Sequence, residues 1–167
     1  MESFEMRVLR ESEAARRDVA SIVSAAADYY MTVQGTPAPP EEIDEFFTAV
    51  PPGYALEDMF PLGFYAAGQV VGIGGLLKGW NAPNKAMIGL LVLDPAARGK
   101  GYGQLAVQLI EEMARSLPGI ERLRVGVVAC NTNALGFWRR MGYADTGEVK
   151  PRFAPFLDDV VILEKPL

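Results

Sequence analysis

A basic, glycine-rich loop joins a strand-like segment to a helix-like segment in the middle of this chain. The apolar run Leu91-Val92-Leu93 is followed, after Asp94-Pro95, by Arg98-Gly99-Lys100-Gly101-Tyr102-Gly103-Gln104. The first backbone N–H groups of a helix have no partner within the helix, and the helix contributes about +0.5 elementary charge at that end. Glycines let the backbone approach a phosphate closely. This order of elements therefore predicts a binding site for a phosphate-bearing ligand.

The spacing of the glycines excludes two common nucleotide-binding loops. A P-loop needs two glycines five residues apart followed by Lys-Ser or Lys-Thr, and no such string occurs. The dinucleotide fingerprint needs Gly-x-Gly-x-x-Gly, whereas Gly99, Gly101 and Gly103 alternate with other residues. The pattern that is present is Arg98-x-x-Gly101-x-Gly103.

A second motif follows after one predicted helix and one predicted strand. The predicted helix ends at Pro118-Gly119, and residues 123–128 read as a strand. The apolar positions that predict one face of this helix are Leu105, Ala106, Leu109, Ile110, Met113 and Leu117. The second motif itself consists of Asn131, Ala134, Phe137 and Trp138, and then Gly142-Tyr143.

The two motifs together resemble those of the GCN5-related N-acetyltransferase superfamily. Its members carry Arg/Gln-x-x-Gly-x-Gly/Ala for acyl-coenzyme A, and then Asn-x-x-Ala-x-x-Phe-aromatic. The resemblance covers about residues 60–165 and implies acetyl-CoA as co-substrate. It also implies an α/β (α+β) acetyltransferase fold with a mixed, mostly antiparallel sheet, flanking helices and splayed central strands. We expect a single domain over residues 1–167, with a coenzyme-binding core at about 84–143 and acceptor-side elements at about 14–60 and 144–158.

The resemblance implies a role for each residue of the motifs. The backbone N–H of Leu91 would stabilise negative charge on the acetyl oxygen, and the backbone of Leu93 would pair with the pantetheine arm. Arg98 would contact the phosphates, and Asn131 would contact the coenzyme near the pantetheine arm. The remaining residues predicted to bind the coenzyme are Gly99, Lys100, Gly101, Tyr102, Gly103, Gln104, Ala134 and Phe137.

Several of these residues also have simpler interpretations. Arg98 and Lys100 are possible solvated loop charges, and Asn131 is a good helix N-cap whether or not it touches a coenzyme. Phe137 and Trp138 have the spacing of core residues.

The chain departs from the family pattern at the positions that handle protons. Many members carry a tyrosine as general acid where this chain has Trp138, whose indole N–H does not ionise. Many also carry a glutamate on the strand before the loop, but residues 87–90 contain none. The chain contains no histidine at all. This leaves two alternatives: a loop carboxylate as general base, or attack by a neutral amine whose proton leaves through water. The candidate carboxylates are Asp28, Glu41, Glu42, Glu57 and Asp58.

Aromatic residues predict the acceptor side of the site. The predicted pocket residues are Tyr29, Tyr30, Phe47 and Trp80, and the resemblance adds the neighbouring aromatics Phe46, Tyr54, Phe153 and Phe156. They favour a small-molecule or peptide amine as the acceptor, without naming it. A non-catalytic acyl-CoA-binding sensor or regulatory module is the alternative, because the usual tyrosine and glutamate are missing.

Composition limits the remaining classes of function. A net charge of −5 argues against nucleic acid as the partner. The hydrophobic fraction of 50% is typical of a globular chain, and the single cysteine, Cys130, cannot form an internal disulfide. The longest apolar run, residues 87–93, is too short to span a bilayer, so we expect a cytoplasmic protein without membrane partners. No metal site is predicted, and the resemblance leaves a homodimer possible.

Local patterns predict the elements that position these motifs. A strand at residues 7–9 precedes a helix capped by Ser12, which continues to Tyr30 and is broken by residues 34–40. A short helix at 41–49, a hairpin around residues 67–69 and a strand at 86–93 lead into the glycine loop. The final strand is predicted at residues 160–163. The predicted order is β-α-α-β-β-β-α-β-α-β-β.

Overall fold

A computed structural model describes residues 2–167, which fold into a mixed sheet with helices on both faces. The strands are β1 (Phe4–Val8), β2 (Met59–Ala66), β3 (Gln69–Lys78), β4 (Lys85–Leu93), β5 (Arg122–Val128), β6 (Ala144–Lys150) and β7 (Val160–Pro166). The helices are α1 (Glu13–Ala25), α2 (Ala27–Gln34), α3 (Glu42–Thr48), α4 (Tyr102–Ser116) and α5 (Thr132–Arg140).

The sheet has the strand order β1-β2-β3-β4-β5-β7-β6, and all neighbours within residues 2–167 are antiparallel except β4 and β5. The parallel pair is short, since residues 85–88 of β4 pair with 122–125 of β5 and the two strands then separate. The register between β3 and β4 shifts at the same point, from Leu76 opposite Ile88 to Gly75 opposite Leu90. Gly89 is thus the extra residue of a β-bulge, which bends β4 where it leaves β5. The predicted fold class, including the splayed central strands, is confirmed.

The apolar core lies on both faces of this sheet. On one face α4 and α5 cover a cluster that includes Ile88, Ile110 and Leu123. On the other face α1 and α3 cover a cluster around Ile22 and Ile73. Because Ile88 belongs to the first cluster and Val92 to the second, β4 is packed from both sides at the edge of the gap that it forms with β5.

The predicted helix over residues 12–30 is in fact two helices. Ser12 caps α1 as predicted, its hydroxyl accepting the Ala15 N–H at 3.1 Å. The chain then leaves the α-helical conformation at Ala26 (φ −90°, ψ 33°), and α2 begins at Ala27. Ala26 is fully buried against the sheet-side cluster, so tertiary packing places the break. Neither glycine nor proline marks it in the sequence.

The buried face of α4 agrees in part with the predicted one, because Ala106 and Ile110 are buried and Met113 and Leu117 pack partly buried against the same cluster. Leu105 is 40% exposed, whereas Ala106, Val107, Ile110 and Ala114 are buried. Glu111 is also buried on this face, because its carboxylate accepts hydrogen bonds from the Tyr143 hydroxyl at 3.2 Å and from Lys165 Nζ at 2.8 Å. A hydrophobic pattern cannot reveal a buried glutamate, so the sequence did not indicate that the buried face extends to Glu111.

Candidate active site

The gap between the separated ends of β4 and β5 is a cavity of about 290 Å³, called here the central cleft. Residues 87–91 and 125–128 form its two strand walls, and α5 contributes Asn131, Ala134 and Trp138. The opposite side is formed by Tyr29 and Val33 of α2, by Trp80, and by Lys150, Phe153, Phe156, Val160 and Ile162.

The backbone of β4 presents hydrogen-bonding groups to the central cleft. The Asp94 N–H donates to Val71 O of β3 at 2.9 Å, so it points away from β5. Successive N–H groups of a strand alternate in direction. The N–H groups of Leu93 and Leu91 therefore point to the side of β4 where β5 no longer pairs with it, and Leu91 itself lines the central cleft. This is the orientation that the roles predicted for Leu91 and Leu93 require.

The glycine loop lies at the end of β4 and runs into α4. Gly99 (φ +77°) and Gly101 (φ +83°) both adopt the left-handed conformation, which side chains rarely allow. No other atom lies within 4 Å of where a Cβ would stand at either position, so the backbone is open to an approaching ligand. Gly103 differs, because a Cβ there would be 3.3 Å from the Phe137 ring. In this structure Gly103 and Phe137 pack α4 against α5.

Arg98 connects the loop to both β4 and α2. Its Nη2 donates to Leu93 O at 3.0 Å, and its guanidinium forms an ion pair with the Asp28 carboxylate. The hydrogen bond from Arg98 holds the pKa of Asp28 below its ordinary value. Arg98 is thus already oriented at the loop, although its side chain is 39% exposed.

The other predicted coenzyme-binding residues have different surroundings. Lys100 and Gln104 are exposed at the loop and in the first turn of α4. Tyr102 stacks on Phe4 with ring centroids 5.2 Å apart, and its hydroxyl donates to Glu2 at 2.6 Å. Tyr102 therefore ties the start of α4 to the N-terminal strand.

Asn131 and Trp138 on α5 both reach the central cleft. The Asn131 side chain caps α5 by accepting the Ala134 N–H at 3.4 Å, so its predicted N-cap role is present alongside its place in the cleft wall. Trp138 is 5% exposed and packs edge-on against Tyr143, with ring centroids 4.9 Å apart. This environment is that of a core residue with one edge at the cleft.

Two of the four predicted pocket residues line the central cleft, namely Tyr29 and Trp80. Burial, with a smaller contribution from the Glu42 charge, raises the pKa of Tyr29 to about 12, so its hydroxyl keeps its proton near neutral pH. Tyr30 and Phe47 lie elsewhere. Tyr30 is buried with its hydroxyl donating to Glu42 at 3.3 Å, and Phe47 packs in the cluster beneath α1.

None of the five candidate base carboxylates lines the central cleft. Asp28 is held by Arg98, and burial raises the pKa of Glu42 beside Tyr30. Glu41 precedes α3, while Glu57 and Asp58 form a single turn before β2. Within residues 2–167, the cleft wall therefore contains no carboxylate.

Sequence reasoning missed Lys150, the last residue of β6, which also lines the central cleft. Its Nζ lies 5.0 Å from the centroid of the Trp80 ring, and Tyr54 stacks on the same indole at 5.4 Å. The available signal was its position directly before the loop that carries Phe153 and Phe156, both predicted to lie on the acceptor side.

The splayed strands, the backbone donors of β4 and the glycine loop are the features that the resemblance to the N-acetyltransferases implies. Residues 20–143 match the model of the acetyltransferase (GNAT) family, and the chain therefore belongs to that family.

Similarities to individual proteins are consistent with membership of this family. The chain is 50% identical over 54 residues to the uncharacterized N-acetyltransferase YdgE of Bacillus subtilis, a match that spans 32% of this chain and 34% of that protein. Its fold is similar to that of an acetyltransferase from Thermus thermophilus (TM-score 0.76, 18% identity, 99% and 97% of the two chains). It is also similar to the PaiA N-acetyltransferase from Thermoplasma acidophilum in complex with coenzyme A (TM-score 0.64, 21% identity, 99% of each chain).

Residues 2–167 contain neither a metal-binding group of side chains nor a membrane-spanning helix. No group of three or more histidine, cysteine, aspartate or glutamate side chains within residues 2–167 is arranged to hold a metal ion. No helix in this part of the chain has the length and apolar character needed to cross a membrane.

Proposed function

We propose that this protein transfers the acetyl group of acetyl-CoA directly to the amine of a small-molecule or peptide acceptor, with both substrates bound together. The observation that carries the proposal is the open edge of β4 in the central cleft. There the Leu91 and Leu93 N–H groups have no strand partner, and the glycine loop follows immediately.

The described residues fit a coenzyme in this position. The exposed backbone at Gly99 and Gly101, at the start of α4, would hold the pyrophosphate, with Arg98 and Lys100 as nearby cations. Leu93 would pair with the pantetheine arm through its free N–H, and Asn131 would line the arm while still capping α5. Phe137 and Gly103 would support this site by packing α4 on α5.

The proposed acetyl transfer requires few contributions from side chains. When bound, acetyl-CoA supplies a thioester whose carbonyl carbon gains a bond to the acceptor nitrogen as its bond to sulfur breaks. The Leu91 N–H would donate to the acetyl oxygen as negative charge develops there, and one such donor typically contributes about 2.7–4 kcal/mol. The acceptor nitrogen gives its proton to water, and the sulfur leaves as the thiolate of coenzyme A. The protonated Tyr29 hydroxyl is available in the cleft as a hydrogen-bond donor.

We predict that the pH profile of kcat/KM follows the acceptor amine rather than an enzyme group. The cleft wall within residues 2–167 has no carboxylate and the chain has no histidine, so only the neutral fraction of the amine limits the reaction. The rate should rise with pH and level off near the pKa of the amine. Two acceptors with different amine pKa values should give correspondingly displaced profiles. The same inflection with both acceptors would reveal an enzyme base and contradict the prediction.

Replacing Trp138 with phenylalanine should leave kcat within about threefold of the wild-type value, because Trp138 acts by packing on Tyr143. Stability, measured by chemical denaturation, should fall instead. General acid catalysis contributes about 100-fold or more. A loss of that size in a folded Trp138→Phe protein would therefore assign the indole a chemical role.

The proposed activity is tested by measuring thiol release from acetyl-CoA in the presence of polyamines, amino acids, aminoglycosides, arylamines and short peptides. Release that depends on one class of acceptor, with the acetylated amine identified by mass spectrometry, is the expected result. Calorimetric binding of acetyl-CoA without transfer to any acceptor would contradict it and favour the sensor or regulatory alternative.

A further inference from the structure

Lys150 is the only charged side chain that lines the central cleft within the described part of the chain. The rest of its wall is aromatic or aliphatic, apart from the polar groups of Tyr29, Asn131 and the two tryptophans. The protein as a whole carries a net charge of −5, so a cation at this position runs against the overall balance. The positive charge of Lys150 inside the cleft therefore indicates the charge of the group that the cleft binds.

No carboxylate of residues 2–167 forms an ion pair with Lys150. Two acidic residues, Asp158 and Asp159, directly precede Val160, the β7 partner of Lys150. Neither of them lines the cleft: one Asp159 oxygen accepts the Arg152 N–H at 2.8 Å, and one Asp158 oxygen accepts the Asp159 N–H at 2.8 Å. The ammonium group of the half-buried Lys150 lies over the Trp80 ring instead, with Nζ 5.0 Å from the ring centroid.

Trp80, which lines the same wall, also carries a polar group without a partner. Its indole N–H is buried and has no hydrogen-bond partner among residues 2–167. Buried donors without partners are rare because they lose their hydrogen bonds to water without replacement. Lys150, which lies beside Trp80 in the cleft wall and has no acidic partner, therefore indicates an anion as the group that this part of the cleft binds.

We propose that the acceptor is a small amine that also carries an anionic group, a carboxylate in the simplest case, and that Lys150 beside Trp80 binds that group. This inference rests on the proposed acetyl transfer, and it names the class of acceptor. The aromatic side chains of Tyr29, Phe153 and Phe156 provide an apolar surface for the body of the molecule. An apolar amino acid satisfies all three requirements, whereas polyamines and aminoglycosides would place further cations beside Lys150.

The test compares acceptors with and without the anionic group, namely methionine with methioninamide and phenylalanine with phenylalaninamide. Because the amide also lowers the pKa of the neighbouring amine, kcat/KM is expressed per neutral amine in each case. Binding to the protein loaded with coenzyme A is measured by calorimetry, and transfer is measured by thiol release. We expect at least a tenfold preference for the carboxylate in Kd and in kcat/KM, expressed chiefly in KM, as about 1.4 kcal/mol of charge recognition would give. In Lys150→Met this ratio should fall to about one, and in Lys150→Glu it should invert.

Lys78→Met is the matched control, because it removes the same charge from β3 without altering the cleft wall. It should retain the wild-type preference, and loss of the preference in both variants would assign the effect to net charge and overturn the inference. Equal binding of amide and carboxylate by the wild-type protein, or no binding of either carboxylate, would overturn it as well. The proposed function is judged separately, because acetylation of the amides with equal efficiency would retain the transferase and reject only the anionic acceptor.

Discussion

Replacement of Gly101 by valine should raise the Kd for acetyl-CoA at least about a hundredfold, which corresponds to about 2.8 kcal/mol. Gly101 is the residue before α4, and its backbone stands open where the pyrophosphate would bind. A branched side chain there would occupy the space through which the phosphates approach the helix N-terminus. Calorimetric titration of the purified variant with acetyl-CoA measures the effect directly.

Gly119→Val is the control for the cost that this substitution imposes on the fold. Gly119 has a similar φ (+77°) and equally open surroundings, but it follows the far end of α4, roughly 22 Å away along a helix of 15 residues. Both variants should lose stability, since a left-handed residue other than glycine costs about 1–2 kcal/mol. Only Gly101→Val should lose coenzyme binding. Wild-type affinity in Gly101→Val would show that the phosphates bind elsewhere.

Replacement of Glu164 by glutamine should lower the free energy of unfolding by about 3 kcal/mol, the lower end for breaking a buried ion pair. Its carboxylate on β7 accepts hydrogen bonds from Lys85 at 2.9 Å and from Arg122 and Arg124, both at 3.1 Å. Arg124 is itself buried, and its Nε has no partner within residues 2–167. Without the negative charge of Glu164, only the half-exposed Glu148 would remain paired with that guanidinium.

The effect of Glu164→Gln should depend on pH in a defined direction. Burial opposes ionisation of Glu164, but the hydrogen bonds from Lys85, Arg122 and Arg124 outweigh it and hold its pKa below the ordinary value of 4.5. A lowered folded-state pKa means that the stabilisation is complete above about pH 4.5 and is lost as the pH falls through the folded-state pKa. When urea denaturation is measured at successive pH values below 4.5, the free energies of unfolding of the wild-type and Glu164→Gln proteins should therefore converge. Glu112→Gln, on the exposed side of α4, should change stability little at any pH.

This ionic cluster also bears on the site, because it holds β4 and β5 together where they still pair. Lys85 and Arg122 are the first residues of their strands and are partners in the parallel ladder. The strands separate only a few residues later, at Gly89. A weakened cluster should therefore disturb the geometry of the central cleft as well as the stability of the fold.

The sequence allowed the fold to be predicted and the two motifs of the proposed coenzyme site to be located, because both depend on local patterns. The glycine loop of residues 98–104 and the α5 motif at Asn131 lie within short segments whose spacing is specific. Their placement follows from the alternation of strands and helices around them. The bulge at Gly89 was not predicted, since it depends on the register of β3 against β4 and no residue type announces it.

The acceptor side was predicted less well, because its residues come from segments far apart in the chain. Tyr29 and Tyr30 are adjacent residues of the same type, so the sequence does not distinguish them. In the structure Tyr29 lines the cleft, whereas Tyr30 is buried with its hydroxyl against Glu42. Which of them faces the site depends on the direction that α2 takes after Ala26. Lys150 joins Trp80 only through the sheet order that places β6 beside β7. Such juxtapositions are set by tertiary structure.

Direct transfer is the central claim, and the mass of the protein after exposure to acetyl-CoA tests it most directly. Intact-mass spectrometry should be recorded with and without an acceptor, together with initial rates at varied concentrations of both substrates. We predict an unmodified protein under both conditions and intersecting lines in double-reciprocal plots. Parallel lines, together with an acetyl group on the protein before acceptor is added, would contradict the claim. The exposed Cys130, the chain's one cysteine, would then be the first residue to examine.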